Sequence, residues 1–211
     1  MRSISLGNSL TDIIIMLIMY LVWRKYHDKF RGLGYWFIAC FLQVAGQILL
    51  LSRGSLHDFI SVFLSDLLLI LAVLMLMYGM ELFTDARGRR GMFFLLLVPV
   101  VPLHYYFTFI KPALDARVYV ISASAILISL NFIYLLKARI DKKHRGMYRQ
   151  IVIVFLLLAV VYLARIFFST GIVDRELFHS LDLIDNILIM AIYMLVILLE
   201  FSLVIVINSR L

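Results

Sequence analysis

The chain has 211 residues, of which 64% are hydrophobic and 16% charged, with a mean hydropathy of +1.03, and this composition excludes a soluble domain of that length. Its net charge of +7 is gathered into short loops between apolar runs, which argues against a nucleic-acid interface. The single cysteine, Cys40, lies inside an apolar segment, so an intrachain disulfide is excluded and helix packing must hold the fold.

A bilayer core of about 30 Å calls for roughly 20 apolar residues per helix, because only helices or closed barrels satisfy every backbone polar group in lipid. Long apolar runs, rather than short alternating ones, select helices. The sequence predicts an all-α, polytopic seven-transmembrane helix bundle, a single domain over 1–211, with spans at about 8–24, 32–52, 58–83, 91–109, 115–137, 147–170 and 178–207. In the first, Arg2 precedes the apolar run, Asp12 interrupts it and Trp23-Arg24-Lys25 closes it. No small-residue cleavage site follows, so this reads as a retained helix and not a signal peptide.

The punctuation between spans is basic: "RKYHDKFRG" after the first, "TDARGRRG" after the third and "KARIDKKHRG" after the fifth. With alternating sides, fourteen Lys and Arg residues fall on the side of these loops and six on the other. The positive-inside rule then expects the amino terminus outside and the carboxyl terminus in the cytoplasm. The seventh span is thirty residues, about 45 Å of helix, longer than the bilayer core. Its apolar Phe201, Val204, Ile205 and Leu211 are spaced to begin a paired stalk or to extend a tilted helix.

Ionisable groups at membrane depth are costly and face a protein interior or a water-filled cavity. Gln43 and Gln47 share a face of the second span; Asp58 stands where it can cap the third, with Asp66 two turns deeper. His104, Tyr105 and Tyr106 lie near the outer end of the fourth span, and Ser124 and Asn131 share a face of the fifth. Tyr162, Arg165 and Ser169 share a face of the sixth, and Asp182 and Asp185 open the seventh beside Asn186. Glu81 and Glu200 fall near the inner boundary, where basic loops can answer them.

An arginine forked onto carboxylates neutralises both desolvated charges, so Arg165 is expected to meet Asp182, Asp185 or Asp66. The candidate ligand-binding set is Gln47, Arg53, Asp66, His104, Tyr105, Arg165, Asp182 and Asp185, forming either a polar chamber open to the outside or a structural ion cluster. His57, His104 and His179 share no metal-ligand spacing. The final span has no lysine for a retinal Schiff base, and no nucleophile elbow, phosphate loop or metalloprotease motif appears. No metal, cofactor or catalytic residue is expected. Gly46, Ala72, Gly79 and Ala159 are expected to permit close helix approach.

Residues 31–83, "RGLGYWFIACFLQVAGQILLLSRGSLHDFISVFLSDLLLILAVLMLMYGMELF", with "YYFTFIKPALDARVYVIS" at 105–122 and the terminal "VIVINSRL", resemble the amino-terminal membrane sensor of bacterial diguanylate cyclases that carry a GGDEF domain. Related modules occur on histidine kinases. The resemblance implies a multi-pass module of the bacterial inner membrane that senses a small molecule or lipid from the outer side. It also implies homodimerisation through the last helix and a cytoplasmic output in cyclic di-GMP signalling. The chain has no Gly-Gly-Asp-Glu-Phe motif, so it is expected to be the sensor without the enzyme. That pattern often has Asn near Asp66, which would make this carboxylate a partner for Arg165. A small membrane transporter or channel is the competing reading, and would need polar residues along a route through both halves of the bundle.

Overall fold

The computed structural model describes residues 2–84, 92–139, 145–169 and 178–210, with side chains described over 9–84, 94–137, 146–169 and 184–210. Each of the seven predicted spans falls on a helix, and no strand occurs among the described residues. Five segments are long and apolar enough to cross a membrane: Leu33–Leu51, Phe59–Phe83, Leu114–Lys137, Gly146–Ser169 and Ile184–Arg210; Phe94–Ile110 is a shorter apolar helix. The protein is therefore a helical membrane protein. The first helix, α1 (Arg2–Tyr26), is long enough, but Ser3, Ser5, Asn8, Ser9, Thr11 and Asp12 dilute its first half.

Two compact units divide the chain, Met1–Leu95 and Leu96–Leu211. In the first, α1 packs on α2 (Leu33–Leu51), which packs on α3 (Ser65–Phe83). The α1 face is Ser9, Asp12, Ile15 and Met19, all buried at helical spacing. Trp23 stacks on Phe37 at a centroid distance of 5.6 Å. Between α2 and α3 the contact is built on glycine. Gly32 takes φ 100° at the start of α2 and its carbonyl accepts the Tyr35 and Trp36 amides; a Cβ there would strike the Gly79 carbonyl. At Gly79 a Cβ would strike the Trp36 indole, which is fully buried and donates from Nε1 to the Leu76 carbonyl at 3.2 Å. Gly46 is less tightly enclosed, a Cβ there coming within 3.0 Å of Leu69 and 3.1 Å of the Ser65 carbonyl. The small residues read from the sequence at 46 and 79 thus do set the approach of these helices.

The start of α3 differs from expectation. Asp58 makes no side-chain capping bond. A π-helical turn, Phe59–Leu64, runs into α3 instead, and the His57 carbonyl accepts the Ile60 and Ser61 amides. The wider turn is held by Ser65 Oγ, which donates to the Ser61 and Val62 carbonyls, both at 2.9 Å.

In the second unit, α4 (Leu97–Tyr105) follows a 3₁₀ turn, Met92–Leu96, and passes into a π-helical turn, Tyr106–Ile110. Pro102 lies inside α4 and cannot donate to the ladder, which accounts for the short regular stretch. Then come α5 (Leu114–Arg139), α6 (Arg149–Ser169) and α7 (Phe178–Arg210). Phe132 of α5 stacks on Phe155 of α6 with centroids 4.1 Å apart. The inner face of α6 is Ile151, Val154, Phe155, Leu158 and Ala159, and that of α7 is Ile192, Leu195, Leu199, Leu203 and Val206. At 33 residues, α7 is about 50 Å long.

Replacing Gly79 by Val is expected to destabilise the protein by about 1–3 kcal/mol through overpacking against Trp36. Gly146→Ala, where a Cβ meets nothing within 4 Å, is expected to leave stability unchanged. Thermal unfolding in detergent micelles compares the two; equal effects would disprove the glycine seam.

Candidate functional site

Among the described residues an arginine meets an aspartate once in each unit, and His27 and Asp28 also lie 3.2 Å apart at an exposed position. In the second unit α6 and α7 run antiparallel through a short connection, so residues near the end of α6 face residues near the start of α7. Arg165 is on the α6 face that meets α7, and its Nε lies 2.9 Å from Asp185 Oδ1. The arginine side chain is 17% exposed and the aspartate 44%. This is one bond from the side of the guanidinium. The terminal Nη groups have no hydrogen-bond partner among the described residues, so the fork that would grip a carboxylate or phosphate with two bonds is not used by Asp185. Neighbours along the two helices are largely apolar, Leu163, Ile166, Phe167 and Phe168 on α6 and Ile184, Ile187 and Leu188 on α7, with Tyr162, Ser169 and Asn186 the polar exceptions. A cation there is costly without an anion, and Asp185 supplies one while staying half in the open.

In the first unit, Arg53 lies in the turn after α2, next to Gly54 at φ 84°. Its Nη2 is 3.5 Å from Asp66 Oδ1, and its Nε donates to the Ser61 carbonyl at 3.2 Å. That carbonyl belongs to the π-helical turn and also accepts Ser65 Oγ. Arg53 therefore staples the turn onto the irregular start of α3. Asp66, expected beside Arg165, has Arg53 as an ion-pair partner within its own unit.

The other predicted residues are distributed more widely. Gln47 is buried in α2, one turn from Gln43. His104 is buried and Tyr105 exposed, as successive positions about 100° apart on a helix require, so this pair does not present one surface. The side chain of Asp182, and those of Arg175 and His179, lie outside the described residues. His57 Nδ1 accepts the Phe59 amide at 3.2 Å, a local helix-start contact. Among the described residues no three His, Cys, Asp or Glu side chains converge as a metal site. Glu81 and Glu200 are both buried, while 85–91 and 140–144, in the loops expected to answer them, lie outside the described residues.

Sequence reasoning passed over Asp12 as a site. It is buried, with the Gln43 amide beside it, and the signal was present: Asp12 falls on the same helical face as Ile15 and Met19. No family model, curated protein or solved structure matches the chain.

A hydrogen bond to a charged group is worth about 1.5–3 kcal/mol, and the exposure of Asp185 places this one at the lower end. A double-mutant cycle of Arg165→Ala and Asp185→Ala, read by thermal unfolding, is expected to show coupling of about 1–2 kcal/mol. Additive single effects would mean that the pair does not clamp α6 to α7.

Proposed function

We propose that the chain is a seven-span sensory module of a bacterial inner-membrane receptor. Its amino terminus is outside, its carboxyl terminus is cytoplasmic, and it has no enzymatic activity of its own. The observation that carries this reading is the incomplete use of Arg165: a partly buried guanidinium, held by one side-on bond, with its anion-binding fork unengaged. A ligand bearing a carboxylate or phosphate on the outer side would take that fork. Asp182 and Asp185, at the start of α7 in the same unit, are the further candidates to bind with it, and the ligand is a small molecule or a lipid.

A ligand anion on the terminal nitrogens shares the guanidinium's charge with Asp185 on Nε, and Asp185 stands on α7, so binding is coupled to the position of the last helix. Only a difference in affinity between two α7 positions makes this a signal. The orientation rests on the excess of Lys and Arg in the three basic loops. The outer face of α7, with Met190, Met194, Leu198, Phe201 and Ile205 all exposed at three- and four-residue spacing, suits a homodimer that passes the displacement to a cytoplasmic output such as a diguanylate cyclase. Transport is the second reading, favoured by the two π-helical turns and by Pro102. Both turns stand at one end of their spans, whereas alternating access places broken helices near the bilayer midplane.

Native mass spectrometry of gently solubilised protein is expected to find a discrete anionic adduct in wild type that is lost in Arg165→Ala. A spin label on α7 near Leu198 is expected to shift its distance distribution in the same variant. A folded Arg165→Ala protein with unchanged adduct and unchanged α7 would refute the reading, and substrate flux in liposomes would replace it with transport.

A further inference from the structure

Between α4 and α5 lies a groove of about 320 Å³ with Pro99, Val100 and Leu103 on one wall and Val120, Ala123 and Ser124 on the other. Its origin is local. The interrupted α4 gives up a regular surface around its prolines, and α5 faces it with two of its smallest side chains. Ser124 is spent elsewhere: its Oγ donates to the Ile121 carbonyl at 2.7 Å. Tyr119 also lines the groove, yet the open surface of the groove is apolar throughout, so it offers a soluble ligand no polar handle and suits a hydrocarbon chain.

The end of the groove is different in character. Arg117 precedes Val120, Ser124 and Leu127 by three, seven and ten residues, so it stands on the same face of α5, one turn beyond the groove. Lys111 lies in the connection that leads from the π-helical turn to α5. Neither side chain has a hydrogen-bond or ion-pair partner among the described residues. Asp115 is two positions from Arg117, about 200° away around the helix, and so does not answer it along this face. Tyr105 and Tyr106, both exposed, provide the aromatic surface found at membrane interfaces.

An apolar slot in a membrane-crossing unit that ends at two unanswered cations has the chemical layout of one lipid class. We propose that this groove binds an anionic phospholipid, one acyl chain lying between Pro99 and Ala123 and the headgroup phosphate meeting Arg117 and Lys111. The site is separate from Arg165 and stands whether or not the sensory reading holds. The lipid fills the space left by the irregular α4 and holds that helix against α5.

The test is a native mass spectrometry titration of the full chain with phosphatidylglycerol, and with phosphatidylcholine of the same acyl chains. Wild type is expected to prefer phosphatidylglycerol by about thirtyfold, from two cations near the interface. Arg117→Gln with Lys111→Gln is expected to abolish the preference while leaving phosphatidylcholine binding in place. Ala123→Phe, at an exposed position, is expected to weaken both lipids about tenfold by filling the groove; Ala123→Leu is the second variant should Phe prevent folding. Inorganic phosphate in excess is expected not to displace the lipid, because it lacks the chain. Equal binding of the two lipids by wild type, undiminished binding in both folded groove variants, or displacement by phosphate would each overturn the proposal.

Discussion

In hydrocarbon no water completes a backbone hydrogen bond, and this requirement shapes every element of the chain. It turns the apolar runs into helices and makes each departure from a regular ladder a place that needs a local remedy. At Phe59–Leu64 the departure is a π-helical turn, and the remedy is a serine hydroxyl together with an arginine, both directed at the Ser61 carbonyl. Around Pro99 and Pro102 the remedy is a short helix flanked by a 3₁₀ turn and a π-helical turn. The groove against α5 is what that arrangement leaves over. The irregular backbone and the most chemically distinctive side chains thus occur together because the first creates the openings that the second fill.

The helices were largely legible from residue type alone. Apolar runs bounded by "RKYHDKFRG" and "KARIDKKHRG" leave little choice of boundary: α2 spans Leu33–Leu51 and α5 begins at Leu114, each limit within one residue of the predicted one. Contacts were legible only where depth decides them. Arg165 and Asp185 lie at similar depth on consecutive antiparallel helices, so their pairing could be anticipated. The partner of Asp66 could not, since Arg53 reaches it by way of a turn whose path depends on Gly54 and on an extra backbone residue in the following helix. Asp58 misled for the same reason: a capping aspartate presumes a regular α-helical start, and the start is π-helical.

The two arginine–aspartate pairs illustrate how the same residue types acquire different roles. Arg53 divides its donors between a carboxylate and a backbone carbonyl and is consumed in holding a turn. Arg165 spends one donor on Asp185 and retains the rest. In a low-dielectric setting the second state is held in place only because one contact already cancels the charge. That leaves a guanidinium that is neutralised yet still has donors to give.

The tryptophans have a practical consequence. Only two occur in the chain, Trp23 and Trp36, and both belong to the first unit. One is stacked on a phenylalanine of the neighbouring helix, while the other is enclosed and hydrogen-bonded to a third helix. Intrinsic emission therefore watches the α1–α2 and α2–α3 seams, and the second unit contributes no tryptophan of its own. A change in tryptophan emission reports on the surroundings of these two residues, a label-free signal that arises within one unit of the molecule.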